Sequence, residues 1–212
     1  MSSFEAIRKK VLVNNLFSEK TGTFTITGEN KMEVQFDASL PVWFIERLDT
    51  RFQGLFDKIL ACRQCADIAI WKRDNQNCWT LHIIEIKKTV DTSSDSQRGW
   101  QHIKKQFLGA LLRCRMLAGI ANVHFDRVFF YTAFVNDHIT PRPKPKTEEY
   151  DTEDTTFYRV LDDTLPPWLE WETGRCHLDG VDLPDGYIEM AYTHRQIPLE
   201  SQTLVSKDTV RL

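Results

Sequence analysis

No stretch of about 18 consecutive apolar residues occurs in this chain of 212, so no segment is expected to cross a bilayer as a helix. The first ten residues, Met1 to Lys10, lack the apolar core and cleavage site of a secretory signal, which points to a soluble, cytoplasmic protein. Cysteines number five, an odd count that fits free thiols in a reducing compartment better than a disulfide framework. Missing too are the phosphate-cradling P-loop, the GxGxxG fingerprint and the GxSxG nucleophile elbow, which removes the commonest nucleotide-binding and serine-hydrolase readings. His102, His124, His138, His177 and His194 are scattered without a second ligand at metal spacing, and are read as structural or surface residues. Internal repeats are absent, and low complexity is confined to one proline-rich stretch.

What the chain does have is an uneven charge. Lysine and arginine number 22 against 15 aspartates and glutamates through Thr147, and 5 against 15 from Glu148 onward. A basic part suits a phosphate-backbone ligand, and the second part reads as an acidic extension that solubilises, docks a basic partner or shields the basic half. Pro141, Pro143 and Pro145 alternate with Arg142, Lys144 and Lys146 in a segment expected to be extended, because proline excludes helix and removes ladder donors. Two domains follow: residues 1–147 as an α/β core with an N-terminal helix and hairpin, and residues 148–212 as the acidic extension.

Coarse periodicity gives a helix over Phe4 to Leu16 and a hairpin of Thr21 to Thr27 and Lys31 to Phe36 around Gly28-Glu29-Asn30. A second helix is expected after Ser39, with Pro41 in its first turn. A long helix is expected from about Asp95 to Gly119, and a strand buried on both faces over His124 to Val135. Beyond the proline segment, Phe157 to Leu161 and Tyr187 to Tyr192 read as short strands. The aromatic run Pro166-Pro167-Trp168-Leu169-Glu170-Trp171 is expected to pack on the core. At 42% hydrophobic residues the chain can bury one good-sized core.

The richest chemistry sits in two runs around the polar cluster Asp74-Asn75-Gln76-Asn77. Cys65 to Trp71 and Leu81 to Lys87 flank that cluster as a strand, turn, strand unit. With the turn centred near Gln76, paired residue numbers sum to about 152, which sets Asp67 opposite Glu85. Glu85 and Lys87 are two apart and share a face, while Ile84 and Ile86 point the other way. Two adjacent carboxylates raise each other's pKa unless a positive charge sits between them. Magnesium commonly takes one or two carboxylates plus waters and phosphate, and a neighbouring ammonium can hold the attacking water. The chemistry suggested is metal-assisted hydrolysis of a phosphodiester.

A rival reading of the same hairpin is structural zinc. Cys62, Cys65, Cys78 and His82 have C-x2-C-x12-C-x3-H spacing, but Cys78 and His82 share the face opposite Glu85 while Cys65 lies on the Asp67 face. Convergence of all four is not expected.

Asp67, the 18-residue step to Glu85, the Glu-x-Lys triplet on the second strand and the long helix that follows resemble the PD-(D/E)xK, or restriction-endonuclease-like, phosphodiesterase superfamily. The resemblance covers roughly Pro41 to Val135, with Ala66 in place of the eponymous proline. It implies a mixed central β-sheet flanked by helices, a nuclease activity dependent on Mg2+ or Mn2+, Asp67 and Glu85 as metal ligands and Lys87 as a catalytic residue. On the following helix the superfamily often carries a Gln or basic residue, here matched by Gln106 and, second, Gln101. Its usual fourth acid, a Glu on the first helix, is matched by Glu46, with Asp49 and Asp57 as alternatives. The core strand before the Asp strand would be Lys58 to Arg63. Arg98, Lys104, Lys105, Arg113 and Arg115 add cations to the long helix, for phosphate or as a solvated face. The implied partner is nucleic acid, DNA ahead of RNA, with a homodimer or a partner subunit as the assembly. Restriction, repair and mobile-element or antiviral defence are the settings in which such nucleases recur. The alternative is a dormant nuclease-fold subunit that acts by protein or nucleic-acid binding.

Overall fold

A computed structural model describes residues 17–46, 48, 64–92, 98–140, 166–178 and 192–212. The expected helix at Phe4 to Leu16, the proline segment, and the strands proposed at Lys58 to Arg63 and Phe157 to Leu161 all lie outside these residues.

The described chain is a mixed α/β protein built on one eight-stranded sheet. Strands β1 (Ser18–Thr27) and β2 (Glu33–Glu46) form an antiparallel hairpin around a short 3-10 turn at Glu29–Lys31. Next come β3 (Ile68–Arg73) and β4 (Trp79–Val90), then helix α1 (Trp100–Ala121) and β5 (Phe125–Asp137). A short helix α2 (Pro167–Thr173), the two-residue β6 (Arg175–Cys176), β7 (Tyr192–Pro198) and β8 (Val210–Arg211) complete the order. The sheet runs β1-β2-β3-β4-β5-β7-β6, with β8 on β2. Pairing from β1 through β4 is antiparallel, and β5 lies parallel to both β4 and β7. Among the described residues no helix is long and apolar enough to cross a membrane.

The helix expected after Ser39 is a continuation of β2 as far as Glu46. Pro41 signals an irregularity rather than a first helical turn: Lys20 pairs with Val42 but Gly22 with Ala38, so β2 carries two extra residues where proline needs no ladder donor. Beyond the bulge Val42 and Phe44 point to one core and Ile45 to the other, the alternation of a strand.

Each face of the sheet is covered differently. Trp100, Ile103, Phe107, Leu111 and Cys114 of α1 pack against Ala69, Trp71, Leu81, Ile83 and Phe130. Both described helices share this side, since Trp171 of α2 meets the Trp100 ring at 5.3 Å. The aromatic run around Trp168 and Trp171 thus packs on the core. On the other face the β1–β2 hairpin curls back, laying Ile26, Val34 and Phe36 on Ile84, Ile86 and Tyr131. The approach is close enough that a Cβ on Gly28 would stand 2.6 Å from Ile86 Cδ1.

Residues beyond 148 that are described join this same sheet. β7 extends it beside β5, and the stretch after β7 reaches the hairpin, with Ser206 N–H donating to Glu33 O and Leu212 N–H to Asp37 O. Glu170 is a buried hub: it accepts from Trp100 Nε1 at 2.6 Å, Lys104 Nζ at 3.0 Å and His177 N at 3.0 Å. Glu170→Ala removes the buried acceptor that Trp100, Lys104 and His177 share, and a loss of about 3 kcal/mol is the expected result of urea melts.

Candidate metal and catalytic site

The sheet's register builds the site. Ile68 pairs with Ile84 and Ala69 with Ile83, the sum anticipated from the turn, so Asp67 at the mouth of β3 stands opposite Glu85. The two residues are laced together: Asp67 N–H donates to Glu85 Oε2 at 3.2 Å, and Ile86 N–H donates to Asp67 Oδ2 at 3.0 Å. Lys87 reaches back along its own strand, its Nζ 2.6 Å from Glu85 Oε1. Ala69, Trp71 and Ile83 belong to the core beneath α1, so by strand alternation Asp67, Glu85 and Lys87 lie on the helix side of the sheet.

Helix α1 fixes the approach to Asp67. Ala66 N–H donates to Gln106 O at 3.0 Å, Arg113 Nη1 donates to Gln64 O at 3.2 Å, and Leu48 N–H donates to Asp67 O at 3.2 Å. Residues 64–66 cross the helix directly over Gly109, where a Cβ would meet Gln64 O at 1.8 Å. A glycine is required by that crossing, not by backbone freedom.

The electrostatics are unusual. Glu85 is 0% exposed, and burial, then Asp67, push its carboxyl up to about 8, with Lys87 opposing. A dianionic pair here is costly without added positive charge, so the donor set fits a hard dication such as Mg2+, which takes one or two carboxylates and completes its shell with water. Among the described residues no group of three acidic, histidine or cysteine side chains is arranged to hold a metal.

The other expected residues are placed as follows. Glu46 ends β2 opposite Ile68, in the row that continues to Ile84 and faces the second core, so it does not gather with Asp67 and Glu85. Its alternatives, Asp49 and Asp57, are outside the described residues. Gln106 is at the site's margin through its backbone, and its side-chain Oε1 is buried with no hydrogen-bond partner. Gln101 is half-buried in the first turn of α1. Two of the five helix cations are absorbed by the fold: Lys104 pairs with Glu170 and Arg113 is buried against Gln64. Of the zinc-spaced residues, Cys65 lies in the core under α1 while His82 bonds Tyr131 on the other face, and Cys62 is outside the described residues.

One residue read from sequence as structural stands at this site. His102 Nδ1 is 3.4 Å from Gln64 Nε2, and its pKa is lowered by burial, then by Lys87 and Lys105, which places it within electrostatic reach of Lys87. The signal was its position four residues before Gln106, hence on one helix face.

Comparison with protein-family models, with curated proteins and with solved structures found no match.

Proposed function

We propose that this protein is a Mg2+- or Mn2+-dependent nuclease of the PD-(D/E)xK kind, hydrolysing phosphodiester bonds of DNA or, second, RNA. The observation that carries the reading is the interlocked Asp67, Glu85 and Lys87 at the mouth of two paired strands. Further support comes from the elements around it: an antiparallel β2-β3-β4 unit, then α1, then β5 parallel to β4.

Asp67 and Glu85 would hold the dication. A bound metal would polarise a phosphoryl oxygen and acidify a water. The chain's own contribution is positional. Asp67 is fixed from both sides by Ile86 N–H and the Leu48 contact, so its carboxylate is pre-aimed. Lys87, 21% exposed at its side chain, trades its bond to Glu85 for the attacking water or a phosphate oxygen once the carboxylate is committed elsewhere. Gln106 and His102 on one face of α1 offer neutral polar groups to orient the phosphate.

The test is a cutting assay with Mn2+ and Mg2+ on single- and double-stranded DNA and RNA. Asp67→Ala and Glu85→Ala should abolish cleavage, and Lys87→Ala should lower it by about 10²–10³-fold, with far-UV spectra unchanged. Wild-type activity in all three variants sinks the proposal. The placement of Glu46 away from the pair favours a second reading, a dormant subunit. Calorimetry separates the two, since a dormant site takes up no Mg2+ or Mn2+ that depends on Asp67 and Glu85.

A further inference from the structure

The sheet face away from α1 carries a second concentration of chemistry, toward the opposite end of β4. Ladder register aligns Lys20, Val42, Lys72, Thr80 and Arg127 in one row across five strands. Behind it lie Phe44, Ile70, His82, Phe129 and Thr193, and then Ile68, Ile84, Tyr131 and Arg195. At about 4.8 Å per strand the first row spans roughly 19 Å. Lys20, Arg127 and Arg195 are exposed and Lys72 half-buried. None of the four has an ion-pair partner among the described residues. One described carboxylate lies in these rows: Glu46, at the far end of the third, four strands from Arg195.

At the centre is His82, 5% exposed. Its Nδ1 is 2.9 Å from the Tyr131 hydroxyl, which also takes a hydrogen bond from Arg195. Guanidinium groups only donate, so the hydroxyl accepts from Arg195 while its second hydrogen bond joins it to Nδ1. The other ring nitrogen, Nε2, is buried without a hydrogen-bond partner. Lys72 and Arg195 both act on that ring. Lys72 and Arg195 are cationic donors on either side of His82 with no described carboxylate next to them in these rows, which is the complement of a phosphate. Phe129 is half-buried beside it, stacked on His82 at 5.5 Å with Arg195 over its ring at 5.1 Å.

We infer that His82, Lys72 and Arg195 form a phosphate-binding site for single-stranded nucleic acid, with Lys20 and Arg127 continuing the track for neighbouring phosphates. A cationic path interrupted by an aromatic side chain is the chemistry that single strands use. The surface is separate from Asp67 and Glu85 and does not depend on their role.

The test is fluorescence anisotropy of the full chain with a labelled 20-nucleotide single-stranded DNA, in EDTA so that nothing is cut, from 50 to 200 mM salt. Lys72→Glu with Arg195→Glu should weaken binding more than tenfold and flatten the plot of log affinity against log salt by about 1.4, or roughly 0.7 for each phosphate no longer neutralised. Lys72→Gln with Arg195→Gln, a milder pair that guards against misfolding, should give the same change of slope. In the wild type the His82 imidazole nitrogen resonances should shift on adding the oligonucleotide. An unchanged slope in both double variants, an unmoved His82 signal, or equal displacement by poly-glutamate overturns the inference. Loss of cutting in Asp67→Ala leaves this slope as it is, so the two proposals fail separately.

Discussion

In metal-free buffer the protein is expected to be most stable near pH 6.5 and to lose stability on either side of it. His82 and His194 are buried neutral, each with a pKa lowered from 6.5 to about 3, His194 by burial alone and His82 by burial, then Lys72 and Arg195. Between pH 3 and 6.5 the unfolded chain binds two protons that the folded chain refuses, so stability rises with pH across that window. Glu85 acts in the opposite sense. Its folded pKa, raised from 4.5 to about 8, lets the folded chain hold a proton that the unfolded chain has released, so its contribution falls from pH 4.5 to 8. Below 6.5 the two histidines outweigh the one carboxyl, and the net slope is about +1.4 kcal/mol per pH unit. Above 6.5 only Glu85 is left and the slope reverses to about −1.4 kcal/mol per pH unit. Urea melts from pH 4.5 to 8.5 read both limbs directly. Glu85→Gln should flatten the upper limb, and the slope is the proper readout because the amide replaces one acceptor oxygen with a donor. A stability that climbs steadily to pH 8 in the wild type contradicts the burial of Glu85.

Gly109→Ala is expected to cost about 3 kcal/mol or more, enough to endanger a fold of ordinary stability. Its Cβ would stand 1.8 Å from Gln64 O and 3.0 Å from the carbon of that carbonyl. Backbone cannot swing aside as a side chain can, so residues 64–66 must lift off α1. Lifting them breaks the Ala66–Gln106 bond and removes Gln64 O from the buried Arg113. Arg113 loses an acceptor in the core, and Asp67 shifts relative to Glu85. Gly119→Ala is the control on the same helix: nothing lies within 4 Å of its Cβ, and the gain in helix propensity should add up to about 1 kcal/mol. Chemical denaturation of the two variants beside wild type decides the matter, and equal midpoints for Gly109→Ala and wild type would show that the crossing is loose.

The site hairpin was legible in the sequence because its information is local. A polar turn and two strands of clear period set the register, and the register put Asp67 against Glu85. The β1–β2 hairpin, the long helix and β5 were legible for the same reason. Where the reading failed, distant parts of the chain decided. Pro41 looks like a helix start until β1 is seen to bulge β2 around it. Lys104 and Arg113 look like solvent-facing cations, yet their partners are Glu170, 66 residues on, and Gln64, 49 residues back. The strand expected at Tyr187 to Tyr192 lies outside the described residues except for Tyr192, where β7 begins, and the rest of β7 was missed because His194 interrupts its apolar alternation. That histidine is tolerated inside since Thr132 bonds it at 2.9 Å and aromatic rings of Trp100 and Trp171 enclose it.

The stretch after β7 that clasps the first hairpin gives the chain a schedule. Gln35 N–H bonds Ser206 Oγ across 171 residues of sequence, so the hairpin is synthesised early and its clasp late. At ribosomal rates of about 5–20 residues per second, the interval is on the order of 10–30 s. Through that time the apolar inner side of the hairpin, with Phe24, Phe36 and Phe44 stacked on it, has Ile84, Ile86 and Tyr131 to pack on but still lacks Ile197, Leu199, Leu204 and Leu212. Contacts of such sequence separation also slow refolding of the finished chain. Nascent-chain aggregation, rather than equilibrium stability, is therefore the hazard that this topology carries.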